Sequence, residues 1–141
     1  SLVGSEMCIR DSHIGYNYRM PNINAALGCA QLENLDRYVA DKRETAARYV
    51  EFFKGKEDIT FFTEPADCKS NYWLNAVVLK DKAAQLDFLE YTNDHGVMTR
   101  PVWELMNRLP MFEHCETDGL ENTEWLADRV VNIPSSVRLD K

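Results

Sequence analysis

Between Asn22 and about Phe53 the apolar residues return every three or four positions: Ile23, Ala26, Leu27 and Ala30, then Leu35, Tyr38 and Val39, then Ala46, Tyr49, Val50 and Phe53. That period predicts an amphipathic helix with one buried face. At about 1.5 Å per residue, roughly thirty residues extend about 45 Å, more than a domain of this size needs. Helices of such length often lie across a domain junction or a subunit interface. Leu32 and residues 34–36 fall off the phase, which predicts a bend. The opposite face carries Glu33, Asp36, Arg37, Asp41, Lys42, Arg43, Glu44, Arg48 and Glu51 and reads as solvated. Glu44 and Arg48 stand in the favourable order four residues apart, and Gly55 closes the helix as its C-terminal cap.

The first turns of this helix are nearly bare. Ala25, Ala26, Gly28, Cys29 and Ala30 let another backbone approach closely, and Gly28 costs roughly 1 kcal/mol relative to alanine inside a helix. Pro21 suits the first helical position, where its missing N–H has no partner to lose; Asn22 as the cap is the alternative. The loop ahead, Gly15-Tyr16-Asn17-Tyr18-Arg19-Met20, offers an amide, two phenols and a guanidinium. Those groups grip anionic ligands.

A chain of 141 residues can build one domain with its own core. The net charge of −7, with no Lys/Arg stripe, argues against a nucleic-acid surface. No apolar run approaches the ~20 residues of a membrane span. Cys8, Cys29, Cys68 and Cys115 form no paired ligand motif, which points to reduced cytosolic thiols rather than a metal site. Residues 1–12 lack the apolar centre of a signal peptide. They resemble a translated sequencing-adapter segment, with a frayed native terminus as the alternative, and are set aside from the fold.

The remainder predicts a small α/β layer with helices over one sheet. Ile59–Phe62 and Tyr72–Leu79 read as strands, with Tyr72 and Trp73 on opposite faces. Asp81 caps a helix running from Lys82 to about Asp94, ended by Gly96, and His95 sits near that end in a capping role. Val97–Arg100 reads as a strand stopped by Pro101. Trp103–Phe112 reads as a helical turn followed by a loop. Asn122 reads as the cap of a third helix with Trp125 in the core, and Val131–Ile133 as the last strand.

Asn17-Tyr18-Arg19-Met20, with Ala25-Ala26-Leu27-Gly28 and Gln31-Leu32 behind it, resembles the DegT family of sugar-nucleotide aminotransferases. The likeness continues through Arg43, Ala47 and Tyr49, the Tyr72-Trp73-Leu74 segment, Gly96 to Trp103 and Leu126 to Pro134. Arg100-Pro101-Val102-Trp103 and Leu109-Pro110-Met111-Phe112 look most like members that aminate UDP-linked 4-keto sugars of the bacillosamine or legionaminate type.

The resemblance implies a pyridoxal 5'-phosphate enzyme of the aspartate-aminotransferase fold type, homodimeric and cytoplasmic. Its substrates would be a nucleotide sugar and an amino donor, expected to be glutamate. Residues 13–21 would be an active-site loop, 22–54 the connecting helix, and 55–141 a truncated C-terminal small domain. The Schiff-base lysine would lie upstream, leaving this chain inactive alone. Asn17 would reach the cofactor phosphate of the other subunit, or else satisfy local backbone. Tyr18 and Arg19 would line the nucleotide-sugar site, with an ion-pair role for Arg19 as the alternative. Arg100 and Trp103 would face the sugar or diphosphate, because guanidinium pairs with phosphate and indole packs on sugar faces; plain packing is the alternative for Trp103. Two other readings stand beside this one. The chain could be a non-enzymatic α/β module docking through its long helix, or part of a family dehydratase with histidine in place of the lysine.

Overall fold

A computed structural model describes residues 20–138. The chain divides into two compact units after Tyr38. In the first, α1 spans Asn22–Leu32 and is followed by a turn at Glu33 and Asn34, where the bend was expected. The turn has a local cause: Glu33 N–H donates to the Cys29 carbonyl and Asn34 N–H to that of Gln31, while Asn34 Nδ2 caps the Ala30 carbonyl at 3.1 Å. Helix α2, Leu35–Phe53, then starts afresh. Pro21 occupies the N-cap with ψ 151° rather than the first helical position. The stripe on α1 is not buried as its period predicts: Ile23 is 75% and Leu27 60% exposed.

The second unit holds an antiparallel sheet in the order β1-β2-β4-β3. Its strands are β1 Ile59–Phe61, β2 Asn75–Leu79, β3 Arg100–Pro101 and β4 Val130–Ile133. Side chains alternate across a strand, so the register sorts them cleanly. Val77 opposes Phe61 on one side and Val131 on the other, and Asn75 opposes Ile133. These residues, with Leu79 and Ala46 of α2, form the buried core. Tyr49, Val50 and Phe53 of α2 and Ala84, Phe88 and Leu89 of α3 (Lys82–Asp94) pack against it. Gln85 of α3 is fully buried, its Nε2 donating to the carbonyls of Ala127 and Val130 at 2.9 and 2.8 Å.

Several local signals read true. Asp81 accepts from Ala84 N–H at 2.8 Å at the start of α3. Gly55 and Gly96 take positive φ, 75° and 76°, just past their helices. His95 Nδ1 lies 2.7 Å from the Tyr91 carbonyl, a capping contact. A 3-10 turn at Met106–Arg108 supplies the helical turn after Trp103.

Others did not. Tyr72 has φ 48° and lies outside β2, so it does not alternate with Trp73 across a strand. It turns back instead to stack with Phe61. Pro101 is inside β3 rather than beyond it, tolerated because β3 is an edge strand. Asn122 lies within α4, Glu121–Ala127, and the N-cap is Leu120 at φ 56°. Trp125 is half exposed under the Arg129 guanidinium, 4.6 Å from its ring centre, and is not core. No described helix is long and apolar enough to cross a membrane.

Candidate functional site

The sheet face opposite the core carries the candidate site. Arg100 in β3 opposes Asn132 in β4, and Asn132 opposes Ala76 in β2. The three therefore lie in one row across the open face. The chain leaves β3 directly into Val102 and Trp103, so Arg100 and Trp103 border the same concavity of about 520 Å³. Leu74, Met98, Pro134 and Ser135 complete its wall. The structure thus brings the two described site candidates together. Asn17, Tyr18 and Arg19 lie outside the described residues.

The chemistry of the pair follows from what Arg100 does not do. Among the described residues its side chain donates only to the Met98 sulfur, 3.8 Å from Nη2, and no described carboxylate stands within ion-pair distance of it. Other arginines in this unit are committed. Arg43 grips Glu64 and Arg138 grips Asp41. An exposed guanidinium without a carboxylate keeps its planar fork for an incoming oxyanion, and phosphate matches that fork. Trp103, 75% exposed, adds an aromatic face beside it. This donor set fits a phosphate-bearing ligand with an apolar or ring surface. Among the described residues no cluster of three His, Cys, Asp or Glu side chains could hold a metal ion.

Two ion-pair networks tie α2 to the rest of this unit, and both involve α2 residues that the helical period assigns to a solvated face. Asp41 is only 9% exposed and accepts from Arg138 three times, from the backbone N–H at 3.0 Å, Nε at 3.0 Å and Nη2 at 2.7 Å. Asp41 beside Arg138 pushes the guanidinium pKa further up. Arg43 donates to both Glu64 oxygens and to the Ser70 carbonyl, while Ser70 N–H donates back to Glu64 at 2.6 Å. The Arg43 contact, with the Ser70 N–H second, holds the Glu64 carboxyl at about 2. Sequence reasoning missed both networks. Charged residues on an amphipathic helix are ordinarily solvated, and partners 21 and 97 residues away leave no local signature.

The sequence profile of the DegT/DnrJ/EryC1/StrS aminotransferase family matches residues 2–141. The chain belongs to this family. Its members are pyridoxal 5'-phosphate enzymes. EpsN of Bacillus subtilis (strain 168), assigned as a pyridoxal phosphate-dependent aminotransferase, is 33% identical over 128 residues, covering 88% of this chain and 33% of EpsN. GDP-perosamine synthase of Escherichia coli O157:H7 is 32% identical over 124 residues, covering 86% of this chain and 33% of that protein. The solved structure of Helicobacter pylori PseC, an aminotransferase involved in the biosynthesis of pseudoaminic acid, superposes with a TM-score of 0.79. It shares 21% identity and the match covers 93% of this chain and 36% of PseC, a likeness of fold. The chain spans about a third of the length of the curated relatives it matches.

Proposed function

We propose that this chain is the C-terminal part of a transaminase that places an amino group on a nucleotide-linked keto sugar for cell-surface polysaccharide or glycan biosynthesis. The single observation that carries the reading is the pairing of an uncommitted guanidinium, Arg100, with an exposed indole, Trp103, on one concave wall of a DegT-family domain. Nucleotide sugars present diphosphate oxygens beside a ring face, the combination such a wall would bind. The names of the relatives agree: a perosamine synthase and an aminotransferase of pseudoaminic acid biosynthesis both make amino sugars. The narrower reading is a UDP-linked 4-keto sugar of the bacillosamine or legionaminate type, with glutamate as amino donor.

Pyridoxal phosphate supplies the electron sink of the reaction when bound. Residues 13–21 would form the active-site loop of a cytoplasmic homodimer, with Asn17 directed to the cofactor phosphate of the other copy and Tyr18 and Arg19 lining the sugar-nucleotide site. Residues 22–54 would connect to the small domain, 55–141, and residues 1–12 would be non-native. The Schiff-base lysine would belong to sequence upstream of His13, so the 141-residue chain would be inactive alone.

The test uses the full-length parent, read from genomic sequence upstream of His13. Incubated with pyridoxal phosphate, glutamate and UDP-, GDP- or dTDP-linked 4-keto sugars, it should yield the amino sugar nucleotide by mass spectrometry. Absence of amination on every sugar would defeat the reading. A histidine at the Schiff-base position with a deoxygenated product would replace it with the family dehydratase. A borohydride-reducible cofactor adduct on a defined lysine of the 141-residue chain would defeat the placement of the catalytic lysine upstream.

A further inference from the structure

Beyond β4 the chain does not simply run off the sheet. Pro134 and Ser135, which wall the Arg100–Trp103 concavity, are tied on both sides. The Pro134 carbonyl accepts from Tyr49 Oη at 3.0 Å and, at 3.5 Å, from Asn75 Nδ2. The Ser135 carbonyl accepts from Lys42 Nζ at 2.5 Å, and Ser135 Oγ donates to the Trp73 carbonyl at 2.7 Å. Three residues on, Arg138 closes the arrangement on Asp41 and reaches Glu44 at 3.1 Å. Asp41, Lys42 and Tyr49 all belong to α2, which contributes no residue to the concavity itself.

We infer that α2 latches segment 134–138 and so fixes the Pro134–Ser135 wall of the Arg100–Trp103 cavity, with Asp41, acting through Arg138, as a positioning residue for the ligand bound there. The identity of that ligand as a nucleotide sugar rests on the function proposed above. The physical basis is an asymmetry of anchoring. Ser135 enters the cavity wall from an irregular segment, so its position is set by the bonds that hold it rather than by a ladder. Asp41 is nearly buried and gives its carboxylate to both the backbone and the side chain of Arg138. Two guanidinium donors on Oδ1 and the backbone N–H on Oδ2 are charge-assisted contacts that fix geometry as well as energy. Release of Arg138 leaves the wall held by three neutral contacts, from Tyr49 and Asn75 to the Pro134 carbonyl and from Ser135 Oγ to the Trp73 carbonyl, and by Lys42.

The experiment measures steady-state kinetics of the full-length enzyme with Asp41→Asn, Arg138→Gln and the double variant. Each single variant should raise KM for the nucleotide keto sugar about tenfold, with kcat and KM for glutamate held within about twofold. The double variant should cost clearly less than the sum of the two, because both changes break the same Asp41–Arg138 contact. Additive effects, or an unchanged sugar KM, would overturn the inference. Tyr49→Phe, which removes only the bond to the Pro134 carbonyl, serves if Asp41→Asn does not fold; it should raise the same KM about threefold, and no change would overturn the latch. If wild-type enzyme aminates no sugar, the substrate assignment fails by itself. The latch is then judged by amide exchange at 134–138: faster in Asp41→Asn if the latch holds, unchanged if it does not.

Discussion

Arg43 holds Glu64 with both guanidinium nitrogens, at 2.6 and 3.0 Å, across 21 residues of sequence. The pair does more than join α2 to the loop after β1. The Glu64 carboxylate also receives Ser70 N–H, and the Glu64 backbone N–H donates to Tyr72 Oη at 3.2 Å, so side chain and backbone of one residue tie the loop that delivers the chain to β2. Tyr72 can then take its left-handed backbone conformation, since Ser70 Oγ accepts its N–H at 3.0 Å.

That carboxylate gives the acid limb of stability a defined origin. Its folded value is lowered from 4.5 to about 2, chiefly by the Arg43 contact. A depressed acid stabilises the fold fully above its unfolded value, and loses that contribution as pH falls through the folded value. Between pH 4.5 and 2 the protein should therefore lose stability faster than a Glu64→Gln variant. The advantage of wild type over the variant should be constant above that window and close to nothing at its lower edge. Urea midpoints of both proteins across the range check it.

Gln85 is the buried polar residue on which α3 depends. One amide nitrogen serves the carbonyls of Ala127 and Val130, and the oxygen accepts from Lys82 Nζ at 2.8 Å. Gln85→Leu keeps the volume but leaves both carbonyls without that donor. The expected loss is roughly 2–6 kcal/mol, since each of the two carbonyls left unpaired costs about 1–3 kcal/mol. Gln85→Glu should be worse at neutral pH, because a carboxylate would face two carbonyl oxygens. Denaturant unfolding orders the three proteins.

The cap of α3 is a smaller matter with a sharper control. Asp81→Ala removes the acceptor for Ala84 N–H and should cost about 1 kcal/mol, whereas Asp81→Ser should retain most of it. Equal losses in the two variants, read from urea midpoints, would show that the cap bond is not what Asp81 contributes.

Where the sequence was legible, a single local rule governed the outcome. Asp81 ahead of α3, and Gly55 and Gly96 behind α2 and α3, state their own boundaries, because capping is settled within four residues. Alternation in Asn75–Leu79 likewise states which side of β2 meets the core. The helix bend at Glu33–Asn34 was legible from the broken phase.

Where it was not, a neighbour overrode the rule. Asn122 is a better cap residue than Leu120, yet Asp118 Oδ1 takes the Leu120 N–H at 3.2 Å and Gly119 adopts φ 98°, so the helix starts two residues early. Trp125 has helical spacing and great apolar area, but stays half exposed under Arg129, an arrangement periodicity does not distinguish from burial. Asp41 and Arg43 look like the rest of a charged face until their distant partners are placed. Arg100 and Trp103 were legible as site residues through the family resemblance; that they share one wall with Ser135 emerges only from the sheet register and the path of the chain beyond it.

Arg100 borders the concavity together with Trp103. Its guanidinium is exposed on the open face, next to Asn132 and without a described carboxylate partner, so its removal should leave the fold intact. In the full-length enzyme Arg100→Ala should raise KM for the nucleotide keto sugar by roughly tenfold to a hundredfold, the span of about 1.5–3 kcal/mol for a hydrogen bond to a charged group. KM for glutamate should stay within about twofold, since the donor carries no phosphate to lose. Arg100→Lys should recover only part of the loss, because an ammonium cannot present two parallel N–H groups to one phosphate. Parallel urea midpoints for wild type and Arg100→Ala separate binding from folding. If both substrates lost affinity equally, Arg100 would be serving the common site rather than the sugar nucleotide.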